Sequence, residues 1–486
     1  MGLVEVRGGG SLRRALVAAG LLLGAGAASA VSLSGCNWST FSSDADKAPV
    51  RSIAAPSNFK AADFGRSLLP LSSGQGKAAA FVATSINDMN IALVTIDTAG
   101  GVSSAAVPGT SLTEVEDSVI SSLVEDASGS PTKLLLGSPK LHNLGYGRVY
   151  TYALSPMLDE TVTTLPVPLG PTEPGLGRGL AAGTLAGVEA KADYVVASDS
   201  QMVVLVDGAV ATSAGMIGAV GCDPTFDLNL DARYRLKRAV LTARLWLDPP
   251  GTNVQQVVSA SPHAVNPGGR LSFFSVTGGG SPFALNCLAS ATAPALTPTD
   301  IRPRFGTSLA SGDFNGDGNV DLLVGAPGQN AYVYFGPFPP GGLPTPVTIA
   351  DSEGVDFGYA VAALNIDGHV GDEALIADPL AAVGGQDRAG RVTAFAWQAS
   401  TSSMVAIKTY ADHSPEANAN FGSTVNALKF CSATPSPAVG TPCPEASAAH
   451  ILMVGASNEV FIYYGEGSNI PVGGTGGNAL PDVRVR

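Results

Sequence analysis

The sequence predicts an all-β fold, a β-propeller of about seven blades, with six as the nearest alternative. Three observations predict it. A loop rich in side-chain oxygens, Asp313 to Asp321, runs directly into the apolar run Leu322–Val324 with no helix between them. Short apolar runs of the same kind recur along the chain at an interval of about 60 residues, the period of a four-stranded unit with its loops. The chain also holds 59 glycines and 34 prolines but only 14% charged residues. That balance fits short strands joined by many turns and is too poor in Glu, Lys and Arg for long amphipathic helices.

The units follow one another in order. Phe64-Gly65 leads to the run 81–85, and the run 134–139 is followed by the strand-like segment 147–152. Gly179–Gly183 leads to 194–199, and 257–262 is followed by 269–274. Phe305-Gly306 leads to 322–327, Phe357-Gly358 to 374–379, and Phe421-Gly422 to 451–457. The unit near Val257 is the poorest match, which is why six blades is the competing count. A Pro- and Ala-rich insertion between Cys431 and Cys443 accounts for the long gap before the last run. One such unit cannot bury both of its faces, whereas a closed ring of them can, and closure leaves only short, protected edges.

The loop carries the chemistry. Asp313, Asn315, Asp317 and Asp321 are oxygen donors at spacings that a tight curl turns toward one point, and Asn319 occupies the place of a backbone-carbonyl ligand. Gly316 and Gly318 supply the backbone freedom for the curl. Hard oxygens in this number suit Ca²⁺ better than Mg²⁺, which keeps its water in octahedral sites. The bland alternative is a solvated acidic turn. A weaker second site is expected at Asn365, Asp367 and Glu373, where His369 falls in the place of a carboxylate and imidazole is a poor calcium ligand. The segment 184–193 takes the same place in an earlier unit but lacks the carboxylates that open the loop at 313–317, so no metal is expected there.

The segment Phe305–Pro327 resembles an FG-GAP repeat, the unit from which integrin α chains and related bacterial surface proteins build their propellers. The resemblance is close for this unit and decayed in the others. It implies a propeller over residues 63–467, calcium at the loop of residues 313–321, and binding of protein or polysaccharide ligands by loops on one face of the disc.

The formal net charge is −13. An acidic surface repels phosphate backbones, so no nucleic-acid partner is expected. No Gly-x-Ser-x-Gly elbow, His-Glu-x-x-His helix or phosphate-cradling Gly-x-x-x-x-Gly-Lys-Ser/Thr loop is present. The five histidines are scattered, and no catalytic residue is assigned.

The N-terminus carries Arg13-Arg14, an apolar run from Ala15 to Leu33, and then Leu33-Ser34-Gly35-Cys36. This resembles a bacterial lipoprotein signal peptide, residues 1–35, with Cys36 as the acylated residue. The alternative is an ordinary signal cut after Ala28-Ser29-Ala30. Residues 36–62 read as a flexible tether and 468–486 as a Gly- and Pro-rich tail. The expected place is the cell envelope, at the outer membrane or cell surface, held by an N-terminal acyl anchor. Cys222, Cys287, Cys431 and Cys443 remain, an even number in an exported chain, which suggests two disulfides in three formal pairings. Cys431 with Cys443 is the natural local pair, leaving Cys222 with Cys287. The expected function is a calcium-stabilised binding, adhesion or scaffold protein, not an enzyme. The rival is a propeller-type polysaccharide lyase or hydrolase with its site in the axial channel.

Overall fold

The computed structural model describes residues 304–431 except 329 and 413, residues 448–466 except 458, and the strand 483–485. N-terminal to these it describes strands with some flanking turns between 51 and 294. Every described element of regular structure is a strand, and each blade-forming sheet is built mainly from strands consecutive in sequence. Among the described residues no helix is long and apolar enough to cross a membrane.

Five sheets carry most of the described side chains. The first is Gly179–Gly183, Asp193–Ala197 and Met202–Leu205. The second is Val240–Ala243, Gln256–Ser261, Arg270–Thr277 and Ala284–Thr292, so the poorly matched unit near Val257 is a full four-stranded sheet. The third is Ser308–Gly312, Asp321–Ala326, Asn330–Tyr334 and Val347–Ala350. The fourth is Val361–Leu364, Glu373–Asp378, Arg391–Gln398 and Ser403–Tyr410. The fifth contains Thr424–Cys431, Ala448–Gly455 and Val460–Glu466. Two further four-stranded sheets precede them, one starting at Ser67–Ser72 and one at Val119–Glu125.

The second strand of each blade explains the apolar runs. Asp193–Ala197, Asp321–Ala326 and Glu373–Asp378 are buried at every residue. A strand covered on both faces has no reason to alternate polar and apolar residues. Its side chains still alternate between neighbours. Leu322 and Val324 join the cluster shared with Phe273 and Val258 of the preceding blade, whereas Leu323 joins Phe357 and Ile376 of the following one. Leu375 in turn faces Leu452 and Phe461. Each such side chain contributes roughly 1.5–3 kcal/mol by leaving water, so the seams between blades hold the disc together.

The Phe-Gly pairs enter these seams. Phe305, Phe357 and Phe421 are all but fully buried. Each meets an aromatic ring of its own blade edge-on: Tyr332 at 5.5 Å, Phe395 at 5.8 Å and Phe461 at 5.0 Å. The glycine that follows lies at φ +91°, +94° or +91°, where a side chain is strained. Its N–H donates to the carbonyl of Gly325, Ala377 or Gly455 at 2.9, 3.0 and 3.0 Å. Leu176-Gly177 repeats the device, with Leu176 buried and the N–H of Gly177, at φ +92°, donated to Ala197 O. From sequence this unit starts at Gly179, since no Phe-Gly pair precedes it, whereas the seam requires only a large apolar side chain ahead of the glycine.

The first strands form the inner wall. Ser67–Ser72 touches Val119–Glu125, which touches Gly179–Gly183, which touches Val240–Ala243. From there the contacts run through Ser308–Gly312 and Val361–Leu364 to Thr424–Cys431, and that strand returns to Ser67–Ser72. The Asn426 side chain donates to the Leu68 carbonyl across this last seam. The molecule is an all-β propeller.

The sheet reaches past the limits drawn from the sequence. Arg51–Ile53, placed in the tether, pairs parallel with Val483–Val485, placed in the tail, and Val483–Val485 pairs with Val460–Glu466. Three-residue strands are too short to show a period in sequence. Residues 1–50, including the signal segment and Cys36, lie outside the described residues, as do Phe64-Gly65, Cys222 and Cys443. Cys431 ends the strand Thr424–Cys431. Cys287 lies in the strand Ala284–Thr292 and is disulfide-bonded.

Candidate metal centre

The loop 313–320 joins the first and second strands of its blade, closing on the pair Gly312 and Asp321. Gly316 and Gly318 have φ of +72° and +83° and let it curl. The curl gathers side-chain oxygens. Asp313 Oδ1 and Asn315 Oδ1 both accept the N–H of Asp317, at 3.1 and 3.0 Å, and Asp313 Oδ2 accepts that of Gly318 at 2.9 Å. Asn315 Nδ2 donates to Asp317 Oδ2 at 3.1 Å. Asn319 donates its N–H and its side-chain amide to Asp317 Oδ1 at 2.8 and 3.0 Å.

Asp321 behaves differently. It is fully buried, and its two oxygens accept the N–H groups of Phe314 at 2.8 Å and Gly336 at 2.7 Å. Burial pushes its carboxyl up to about 7, and the charges of Asp313 and Asp317 add to the rise while the two N–H donors oppose it. Among the described residues no set of three or more His, Cys, Asp or Glu side chains is drawn together tightly enough to hold a metal as it stands. The donor set nevertheless fits a hard divalent cation. It offers three carboxylates and a carboxamide oxygen on one short loop, the charges of Asp313 and Asp317 add to the raised proton affinity of Asp321, and each Asp321 oxygen keeps a further lone pair.

The second loop is also bonded to itself. Asn365 Oδ1 accepts Gly368 N–H at 2.8 Å and its Nδ2 donates to His369 O. Asp367 accepts the N–H of His369 at 2.8 Å and stands 3.1 Å from His369 Nδ1. Glu373 Oε2 accepts Ile366 N–H at 2.7 Å. Burial raises the Glu373 carboxyl to about 8, with Asp367 and Asp372 adding to the rise. The three residues share one loop, and their oxygens accept its own N–H groups as those of the first loop do; what differs is His369, which stands beside Asp367 in the place that Asp317 holds in the first loop.

Sequence reasoning missed what the residue opening the second strand does. Asp193, Gln256, Asp321 and Glu373 hold this position in four blades, and all are buried. Each accepts backbone N–H groups from its own loop: Leu185 at 2.8 Å, Leu245 and Trp246 at 2.8 and 3.2 Å, and Phe314 and Ile366 as above. A loop buried at its base must satisfy its amides, and this side chain satisfies them. The available signal was a polar residue at the head of each apolar run.

The inner wall bears on catalysis. The first strands read Ser67–Ser72, Val119–Glu125, Gly179–Gly183, Val240–Ala243, Ser308–Gly312, Val361–Leu364 and Thr424–Cys431. They contain no His, Tyr or Arg, and their charged residues are Glu125 and Lys429.

A β-propeller carrying a carboxylate loop directly ahead of a buried strand is the class these features define. The FG-GAP repeat family is matched by residues 305–336, which span the Phe-Gly pair, the loop and the strands on either side of residue 329. Among solved structures the chain is similar to the crystal structure of Saccharomyces cerevisiae Sqt1, at 11% identity, 80% coverage of this chain, 81% of that chain and a TM-score of 0.43. No curated protein matches.

Proposed function

We propose that this protein is a seven-bladed, calcium-stabilised propeller that serves as a lipid-anchored binding or scaffold platform in the bacterial cell envelope. The observation that supports the reading is the inner wall: its described first strands are built mainly of small and apolar residues, with Glu125 and Lys429 as their charged residues, and their sequences hold no clustered His, Tyr, Arg or carboxylates. An axial-channel lyase or hydrolase needs such a cluster. On this reading binding uses loops on one face of the disc, and the ligand is a protein or a surface polysaccharide. Seven first strands, each touching the next and the last touching the first, support the blade count.

Asp313, Asn315, Asp317 and Asp321 would hold Ca²⁺ with the Asn319 carbonyl. The ion would neutralise mutually repelling carboxylates and fix the loop, with no part in bond-making. In the second loop His369 beside Asp367 takes the place a metal would have. The Arg13-Arg14 segment and Cys36 support export and acylation, and Cys222 is the proposed partner of Cys287. Crosslinking and affinity capture from envelope fractions test the platform reading. A specific envelope partner supports it, whereas an unpartnered monomer that turns over a glycan would replace it with the enzyme.

A further inference from the structure

The candidate calcium loop is braced from the next blade. Asp372 Oδ2 accepts the N–H of Asp313 at 3.0 Å, and Asp372 returns its own N–H to the Asp313 carbonyl at 2.6 Å. Asp313 opens the loop, and its carboxylate carries the N–H groups of Asp317 and Gly318. Around this reciprocal pair the two loops approach backbone to backbone. A Cβ on Gly312 would stand 2.9 Å from Asp372 Oδ2, and one on Gly316 would stand 2.9 Å from the Val370 carbonyl. Gly371, at φ +113°, would place a Cβ 3.3 Å from the Gly316 nitrogen.

The same clamp occurs at another seam. Thr184 follows the strand Gly179–Gly183 as Asp313 follows Ser308–Gly312. Its N–H donates to Gln255 Oε1 at 3.2 Å, and Gln255 returns its N–H to the Thr184 carbonyl at 2.8 Å. Gln255 immediately precedes the buried acceptor Gln256, as Asp372 precedes Glu373. A neutral amide makes the clamp there, so the hydrogen bonds, and not the charge, are its working part.

Resting on the calcium reading, the geometry points to Asp372 as a positioning residue for the ion site, located in a different blade from all the proposed ligands. It fixes the backbone from which Asp313 presents its carboxylate. It also ties the ion to the seam, so that calcium tightens residues 366–372, which contribute no ligand to that ion.

Calorimetric titration of Ca²⁺ into the chelator-stripped full chain tests this, alongside hydrogen exchange over 366–372 with and without the ion. Asp372→Ala is expected to weaken calcium binding about fivefold, the worth of one hydrogen bond. Asp372→Asn, which keeps an acceptor, should stay within about twofold of wild type. Calcium should slow exchange across 366–372 in the wild type and in Asp372→Asn, but not in Asp372→Ala. Melting in chelator reports whether each variant folds, and the wild-type exchange result decides the matter alone if the alanine variant does not. Calcium binding with unchanged affinity in Asp372→Ala, no calcium effect on 366–372 exchange, or an asparagine variant as weak as alanine each overturns the inference alone. No calcium binding by the wild type overturns it together with the calcium reading.

Discussion

Replacing Glu373 with glutamine should make the calcium-free protein more stable at alkaline pH. The Glu373 carboxyl is buried and pushed from 4.5 to about 8, first by burial and then by the charges of Asp367 and Asp372. A raised folded value means that the native state holds the proton more tightly than the unfolded chain. Its stabilising effect is fully present below about 4.5 and is lost as pH rises through about 8. The shift corresponds to at most about 5 kcal/mol between these limits, at about 1.4 kcal/mol per pH unit. Glutamine removes the ionisation and keeps an oxygen for the Ile366 N–H, as Gln256 does for Leu245 and Trp246 two loops earlier in the propeller's series. Urea unfolding in chelator at intervals from pH 4.5 to 9 reads the difference between wild type and Glu373→Gln. The variant should gain on the wild type steadily through the window, even though Asp321 and Asp378, also raised by burial, impose a common slope on both. Two curves that fall in parallel from pH 5 to 9 would mean that the folded protein holds no extra proton on Glu373.

Further outcomes follow from the same geometry. Chelation should lower the melting temperature modestly, because a site with a dissociation constant of about 10⁻⁴ M adds only about 1.4 kcal/mol at millimolar calcium; scanning calorimetry should show Asp317→Ala erasing that difference. Gly358→Ala should cost more than Gly318→Ala in chemical unfolding. Both sit in the left-handed region, at about 1–2 kcal/mol for an added side chain, but a Cβ at Gly358 also meets the Asn330 carbonyl at 2.6 Å, whereas Gly318 has nothing within 4 Å. Deleting residues 480–486 removes Val483–Val485, the strand that joins Arg51–Ile53 to Val460–Glu466, so limited proteolysis should then cut near residue 53 faster than in the full chain.

The parts of the architecture legible in sequence are those where one residue type does one job. Phe-Gly pairs, the curled loop and doubly covered second strands leave strong local marks, and each led to a blade. The first strand Val240–Ala243 left none, because a wall of small and half-buried residues has neither the period of a helix nor a continuous apolar run. Leu176-Gly177 escaped because the seam accepts any large apolar side chain. In the candidate site, the gathering of Asp313, Asn315 and Asp317 followed from spacing. The inward turn of Asp321 did not, because it depends on the N–H of Gly336, a residue beyond the next strand. The clamp of Asp372 on Asp313 crosses from one blade to another, and spacing within a repeat cannot report it.

Closure of the ring is the claim on which the platform, the blade count and the seams all depend. Placing cysteines by Leu69→Cys and Asn426→Cys, treating the folded protein with a short bifunctional thiol crosslinker and identifying the joined peptides by mass spectrometry tests it directly, since these positions flank the seam where Asn426 reaches Leu68. A closed propeller yields the 69–426 crosslink in dilute, monomeric protein and loses it on unfolding. Folded monomer that never forms that crosslink would contradict the account.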